Sequence, residues 1–445
     1  MKKIFVIGAG RSATNLIEYL LEHAAENQWK VIVGDYNEKL ARQKVGDHPN
    51  GEAIFFDAND AEKRQQLIAS SALVVSFLPA HMHLGVARDC LKLGAHLVTA
   101  SYLTRELEGM NEAVKAKGLV FLNEMGADPG IDHMSAMRSI DEIREKGGKL
   151  TAFKSYCGAL VAPESNDNPW GYKFTWSPMN LILAGGQSAA KFIENGKYHY
   201  IPYHRLFSTT ETIEVSGAGT FEAYANRDSV IYREKYDLQD LPTMFRATLR
   251  VPGFCEAWNS LVKLGITDPN YEIHQSDQLT YREWVEAYLP TNLQGSMEEK
   301  LAAYLDTPLN SPLMGRLEWA GLLSDQHIIR KKGTPAEILL DLLLEKFKLG
   351  EEDKDMLVMV DKFEYEWEGK KICRTSSMVT KGIDPLHTAI SRTVGLPAAI
   401  GAKLILQGKV QQKGVQMPVN KEVYGPVLDE LAELGISFME EEWVE

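Results

Sequence analysis

A regular change of hydrophobic period constrains this chain more than any other feature. Over the first 123 residues, solid apolar runs (KIFVIG, KVIVGD, AIFFDAND, LVVSFLP, HLVTAS, LVFLNE) are separated by amphipathic stretches. Helical patterns fall at 12–26 and near 61–69, 83–93 and 105–116. A strand with no polar alternation is buried on both faces, so runs like these linked by helices imply a doubly wound parallel sheet. Ligands of such sheets lie beyond the carboxyl ends of the strands. The residues that matter most are therefore Gly8–Ala13, Asp35, Asp57, Phe77–Pro79, Thr99–Tyr102 and the segment NEMGADPGIDHM that follows the sixth run.

The first of these turns reads VIGAGRSATNLIEYL. Gly8 permits a tight turn, Gly10 lets a pyrophosphate approach the backbone, and Ala13 allows close packing behind it. The helix N-terminus favours the phosphate charge. Alone the pattern is a weak signal, but here it follows a strand and opens a repeating α/β series, which points to a dinucleotide. Asp35 ends the second run about 20 residues beyond the glycines, where a carboxylate accepts ribose hydroxyls and repels a 2′-phosphate. No arginine directly follows it, and Arg42 lies further along the next helix. NAD is expected rather than NADP. Asp35 could at the same time cap that helix.

From about residue 149 the character changes. LTAFKSYCGAL reads as a strand, and the next hundred or so residues are rich in Tyr, Trp, Pro and Gly. The stretch near 280–349 reads as mostly helical, and DMLVMVDKFEYEWEGKKICRTSSMV reads as a hairpin around Glu-Gly. LHTAISRTV, PAAIGAKLIL and EVYGPVLDELAELG close the chain as helices. Strands that return after a helical block imply nested, discontinuous domains. A net charge of −13 argues against nucleic acid or an acidic membrane as partner. Gly8, Gly10 and Arg11 interrupt the apolar start, so no signal peptide is expected, and no long uninterrupted apolar run suggests a membrane span. The four cysteines (Cys90, Cys157, Cys255, Cys373) are far apart, which suits reduced thiols in a cytoplasm.

In NEMGADPGIDHM, Asp128 suits a helix N-cap and Pro129 the first helical position. Ile131, Met134, Ile140 and Ile143 then form one apolar face. That account is complete without chemistry. Yet the segment is denser in acids than a cap requires and lies where the nicotinamide half of a cleft would be.

Several stretches together resemble one family: LVTASYLTRELEGMNEAVKAKG, NEMGADPGIDHMSAM, SYCGALVAPESNDNPWGYKFTWSP, NRDS, TLRVPGF, TVGLPAAIGAKLIL and VYGPVLDEL. They are similar to the glutamate-forming saccharopine dehydrogenases, from the first strand to the last helix. Ala127, Ala159, VAPE and YANRDS depart slightly from the family pattern, and none removes a needed charge or hydroxyl. In animals the module is the rear half of a bifunctional enzyme. Because this chain starts at the module's own first strand, the lysine–2-oxoglutarate reductase half is not expected.

The resemblance implies oxidation of saccharopine with water to L-glutamate and 2-aminoadipate 6-semialdehyde, or the reverse, in lysine metabolism. It also implies a homodimer made through the second domain. Three parts are expected. A Rossmann domain spans 1–126, completed by 390–435. A substrate and dimerisation domain spans 127–250, completed by 352–389. A mainly helical insertion spans 251–351.

Carried over onto this sequence, the substrate would meet Arg227 and Arg250, whose planar guanidinium groups hold carboxylates bidentately. Thr248 and Leu249 would line the same wall. Ser101 and Tyr102 would donate to a carboxylate, and Asp128 would accept from the amine. Asp128 is also the candidate proton acceptor, a role a lysine or a water could equally take. The cofactor would lie on Gly8, Gly10, Arg11, Ser12, Ala13, Asp35, Asp57, Ala58, Phe77, Leu78, Ala100, Gly126 and Ser177. Asp57 has a rival role as a helix N-cap.

His81 and His83 are two apart on a helix start and share no face, so they do not read as a metal pair, and no metal is expected. His133 reads as a packed histidine and Cys157 as an inert thiol. Two other functions compete. A carboxynorspermidine- or homospermidine-type dehydrogenase shares the imine chemistry, but two arginines exceed the needs of one carboxylate. A catalytically idle NAD-binding sensor would keep the glycine turn and lose the arginines and hydroxyls.

Overall fold

The apolar runs become β1 (Lys2–Ile7), β2 (Trp29–Asp35), β3 (Gly51–Phe55), β4 (Leu73–Ser76), β5 (His96–Thr99) and β6 (Val120–Leu122). Between and after them come α1 (Thr14–Glu22), α2 (Glu38–Val45), α3 (Ala61–Ala69), α4 (His83–Leu93), α5 (Arg105–Glu108), α6 (Asn111–Ala116) and α7 (Ile131–Glu145). The structure is a computed structural model and describes residues 1–184 and 189–445. It divides into two units, Met1–Leu150 with Asp361–Glu445, and Thr151–Val360.

In the first unit every neighbouring strand pair of the main sheet is parallel. The order is Gly414–Gln416, β6, β5, β4, β1, β2, β3, so the winding reverses between β1 and β4. That reversal opens a crevice at the carboxyl ends, beside Gly8 and Phe77. Ile4, Phe5, Val6 and Ile7 are fully buried, as expected of a strand covered on both faces. The doubly wound sheet read from the sequence is present.

Several local expectations are corrected. The helix read at 12–26 begins as a 3-10 turn, Arg11–Ala13, and its α-helical part ends at Glu22. The pattern at 105–116 is two short helices, because the chain turns at Gly109 and Met110. LHTAISRTV and PAAIGAKLIL form one helix, Ala389–Leu406, that carries Pro397 inside it. Proline normally breaks a helix. Here tertiary burial overrides that cost: 83% of the helix is buried, at a mean hydropathy of 1.3. Its Gly395 meets α1 so closely that a Cβ would lie 2.8 Å from the Leu16 nitrogen. It is thus a core helix, although long and apolar enough to cross a membrane. The chain also closes on a strand, Met439–Val444, antiparallel to Lys370–Lys381, and not on a helix.

The second unit holds a mixed sheet. Its strands run in the order Thr210–Val215, Gly219–Ala225, Thr243–Arg250 and β7 (Lys149–Val161), with β7 parallel to its neighbour and the others antiparallel. The hairpin Ala190–Glu194 and Lys197–Ile201 pairs with Thr243–Arg250. Helices Phe254–Leu264, Tyr281–Glu286, Met297–Leu305, Pro312–Trp319 and Pro335–Lys346 pack around Trp170, Trp258 and Trp284. Three of them start with a reciprocal Ser/Thr–Glu capping box, which satisfies otherwise orphaned N–H groups. The division between the units falls inside β7 and inside Asp355–Trp367. The turn after the latter is Glu368-Gly369, with φ of 49° and 73°, as the Glu-Gly signal implied.

Candidate functional site

Local geometry explains the two glycines of the first turn differently. Gly8 has φ of 103°, and a Cβ there would lie 2.8 Å from the Phe77 carbonyl oxygen, so the fold itself requires glycine. A Cβ on Gly10 would meet no atom within 4 Å. The protein's own packing does not call for the second glycine, whereas a pyrophosphate lying on the turn does. Arg11 is exposed, Ser12 half-buried and Ala13 fully buried.

Asp35 leaves β2 pointing back at this turn. Its Oδ2 accepts from the Ala9 N–H at 2.6 Å and its Oδ1 from the Asn37 N–H at 2.7 Å. It is not the cap of α2, a role Asn37 takes by accepting from Leu40. The carboxylate is thereby fixed beside the glycine turn, with lone pairs left for ribose hydroxyls. Arg42 is engaged by Glu38 on its own helix. Lys44 donates to the Gly10 carbonyl, and its pKa falls to about 8 because burial outweighs the attraction of Asp35. Asp57 is likewise not a cap: Asp60 caps α3, and Asp57 accepts from the Asn59 N–H at 2.9 Å. Ala58 is buried, its carbonyl bound by Arg64 at 2.6 Å. Leu78 and Ala100 are half-buried.

At the ends of β4, β5 and β6 the polar groups are tied together. His83 is 2% exposed. Its Nδ1 lies 3.0 Å from Ser76 Oγ and its Nε2 lies 2.7 Å from Ser101 Oγ. Burial, with His81 adding to it, pushes the His83 pKa down to about 4, so the ring is neutral near pH 7. Tyr102 donates its hydroxyl to Asp128 Oδ1 at 3.2 Å. Glu124, buried and at φ of 59°, accepts from the Leu103 N–H at 2.8 Å and lies 2.7 Å from His133 Nε2. Gly126 sits tightly: a Cβ there would lie 3.1 Å from the Pro129 carbonyl oxygen and 3.2 Å from Ala100 Cβ.

The segment that contains Asp128 does not cap a helix in the expected way. Helix α7 starts at Ile131 with Gly130 as its cap residue. The loop folds back instead, with Gly126 N–H donating to the Pro129 carbonyl at 2.9 Å and Ile131 N–H to the Gly126 carbonyl at 2.9 Å. Asp132 supplies the local acceptor for Gly130 N–H at 2.6 Å. The Asp128 carboxyl is thus outside the helix and half-buried beside Tyr102. His133 is fully buried against Glu124, the packed role expected of it. Among the described residues no cluster of His, Cys, Asp and Glu could hold a metal.

In the second unit, Arg250 is the last residue of its strand rather than part of a loop, and it is 2% exposed. Nη1 donates to the Leu249 carbonyl at 2.9 Å, Nη2 reaches the Tyr224 hydroxyl at 3.5 Å, and Nε has no hydrogen-bond partner. The rings of Tyr172, Tyr224 and Phe254 surround the guanidinium at 5.3–5.7 Å. Its cross-strand partner Glu222 turns away, accepting from the Gly253 and Cys255 N–H groups at 2.7 and 3.1 Å. Among the described residues no carboxylate pairs with Arg250. Thr248 stands opposite Cys157 on β7, and Leu249 is buried where Gly158 leaves room for its Cβ, 2.7 Å from a Cβ placed there. Arg227 is exposed, with φ of 51° and its carbonyl bound by the Lys191 N–H at 2.8 Å. Ser177 is exposed at the start of Pro178–Ile182.

Sequence reasoning assigned no role to Glu124 or Lys44, and set His83 aside with the metal question. Only the first had a signal, an acid amid buried neighbours.

Comparison with known proteins shows the family and the fold. Residues 4–122 match the saccharopine dehydrogenase NADP binding domain, and residues 126–436 match the saccharopine dehydrogenase C-terminal domain. The chain is 32% identical to saccharopine dehydrogenase [NADP(+), L-glutamate-forming] of Schizosaccharomyces pombe, over 99% of both chains. It is 34% identical to the mitochondrial alpha-aminoadipic semialdehyde synthase of Mus musculus, covering 98% of this chain but 47% of that protein. The apo saccharopine dehydrogenase (L-Glu forming) of Saccharomyces cerevisiae superposes with a TM-score of 0.89 at 30% identity, covering all of both chains.

Proposed function

This chain belongs to the saccharopine dehydrogenase family of oxidoreductases, and from that premise we propose that it oxidises saccharopine with NAD. Saccharopine is a secondary amine that joins lysine to glutamate and carries three carboxylates. The proposed balance is saccharopine, NAD and water to L-glutamate, 2-aminoadipate 6-semialdehyde, NADH and a proton, a step of lysine metabolism. The observation that carries the reading is Arg250. A guanidinium this buried, with an unbonded Nε and no carboxylate of its own, is built to receive an anion from outside the chain. A bidentate bond to a substrate carboxylate satisfies it. Arg227 offers a second cation, which three carboxylates need and a polyamine conjugate with one does not.

The nicotinamide, when bound, supplies the hydride acceptor. The chain's own residues do the rest in this reading. Ser101 donates to a carboxylate, and Tyr102 joins it by turning its hydroxyl from Asp128, which then accepts from the amine and takes its proton. NAD is favoured because the Asp35 carboxylate, held beside the glycine turn, repels a 2′-phosphate. The Schizosaccharomyces pombe relative carries NADP(+) in its name, residues 4–122 match an NADP binding domain, and Lys44 sets one positive charge near Asp35, so the discrimination is one of degree. All four cysteines lie outside disulfides, which suits a cytoplasmic enzyme, and a homodimer is the assembly the family resemblance implies.

The direct test is appearance of reduced cofactor with saccharopine and either NAD or NADP. The reading expects turnover with saccharopine and a preference for NAD. Turnover of carboxynorspermidine without turnover of saccharopine, or tight NADH binding with no turnover at all, would replace it.

A further inference from the structure

His83 is a buried group that the proposed chemistry does not use. It bridges the ends of two neighbouring parallel strands, from Ser76 on β4 to Ser101 just past β5. Because it is neutral, one ring nitrogen donates and the other accepts. The surrounding hydroxyls decide which. Ser76 Oγ, on a residue 1% exposed, has His83 Nδ1 as its one side-chain partner, 3.0 Å away. Thr99 Oγ1 accepts from the Ser101 N–H at 3.2 Å and lies 3.4 Å from Nε2.

If the proton were on Nδ1, the Ser76 hydroxyl would have no acceptor. Nε2 would then take either the Ser101 proton, stranding Thr99 as well, or the distant Thr99 proton. The latter would leave two lone pairs facing each other over the 2.7 Å contact with Ser101. With the proton on Nε2, Ser76 donates to Nδ1 and Nε2–H donates to Ser101 Oγ. Only Thr99 is then short of an acceptor. Each buried hydroxyl left unsatisfied costs about 1–3 kcal/mol, so the second arrangement prevails. Its consequence lies at Ser101: with an oxygen lone pair taken by His83, the hydroxyl proton must point elsewhere. Ser101, His83 and Tyr102 together line a cavity of ≈190 Å³.

We propose that His83 is a positioning residue: its Nε2–H holds Ser101 Oγ so that the serine proton is presented to a substrate carboxylate. The inference rests on the reading of Ser101 as a substrate donor. The tautomer can be read without substrate, from long-range ¹⁵N–¹H correlations of the wild-type protein. A protonated Nε2 and bare Nδ1 are expected; a protonated Nδ1 overturns the proposal.

Kinetics supply the second arm. The Gln side chain of His83→Gln reaches the Nε2 position, whereas that of His83→Asn reaches only Nδ1. His83→Asn should lower kcat/KM for saccharopine at least tenfold, mainly through KM, and leave the NADH dissociation constant within twofold. His83→Gln should recover most of that loss. In a Ser101→Ala background His83→Asn should add almost nothing, since both remove one interaction. Equal losses in the two His83 variants, additive losses with Ser101→Ala, or parallel loss of NADH binding each point to a purely structural histidine and overturn the proposal. Wild-type inactivity on saccharopine would instead sink the functional reading and leave the tautomer result standing.

Discussion

The carboxyl edge of the parallel sheet and the end of strand Thr243–Arg250 treat buried charge in opposite ways. At the sheet edge the ionisable groups find partners within the fold: Glu124 serves Leu103 and His133, Asp35 serves Ala9 and Asn37, and His83 serves two serines. Around Arg250 its cross-strand partner Glu222 is spent on two backbone N–H groups, and the cation is left in an aromatic cage. In the first region folding satisfies these ionisable groups, while the amide oxygens of Asn123 and Gln416 keep no hydrogen-bond partner. The second keeps a cation whose Nε has no hydrogen-bond partner, which is where the proposed reading places a substrate carboxylate. A cofactor that lies along backbone turns needs pre-set shape, whereas a charged substrate needs uncancelled charge.

If that contrast is right, removing a charge should hurt in one region and help in the other. The largest effect is expected for Glu124→Ala, which orphans the Leu103 N–H and removes the acceptor beside the buried His133 Nε2. Denaturant unfolding should show a loss of about 3 kcal/mol or more. An unchanged midpoint would mean the network is slack.

Next is the acid limb of His83. The free histidine value of 6.5 falls to about 4 in the fold, so below pH 6.5 the unfolded chain binds a proton that the folded one refuses. Its stability contribution is therefore full above pH 6.5 and lost progressively as pH falls towards 4, by about 3 kcal/mol in total. Denaturation curves at stepped pH should be flatter over this window in His83→Gln than in the wild type. Identical slopes would show that His83 titrates normally.

A smaller change is expected at the cofactor. Asp35→Ala should weaken NAD and narrow its advantage over NADP by roughly tenfold, about 1.4 kcal/mol. A native preference for NADP would contradict the role given to the carboxylate. The smallest effect has the opposite sign. Arg250→Met removes an unpaired buried cation and should stabilise the protein by about 1 kcal/mol. Marked destabilisation would mean that the cation is already compensated within the chain.

The fold was legible where periodicity and turn chemistry agree. The solid apolar runs gave six strands, Gly8 and Gly10 gave the cofactor turn, and Glu368-Gly369 gave the hairpin. Capping was misread at Asp35, Asp57 and Asp128, because an acid before a helix serves a loop N–H as readily as a helical one. Here the caps fall two or three residues later, at Asn37, Asp60 and Gly130. Strand Gly414–Gln416 is too short to show a period, and Met439–Val444 is exposed along its whole length, so neither left a hydrophobic trace. Proline hid the continuity of Ala389–Leu406, which tertiary packing supplies. At the candidate site, Arg250 could be nominated by its family motif, but its missing partner could not be seen until Glu222 was found capping Phe254–Leu264. His83 escaped because its partners lie 7 and 18 residues away, one on β4 and one just past β5.

The most direct test is the steady-state rate on saccharopine of Arg250→Met against wild type, with NADH affinity measured on both. Loss of kcat/KM by about a hundredfold or more, on the order of 3 kcal/mol, with NADH affinity intact, is the expected result. A variant that turns over saccharopine within threefold of wild type would show that the caged guanidinium does not meet the substrate.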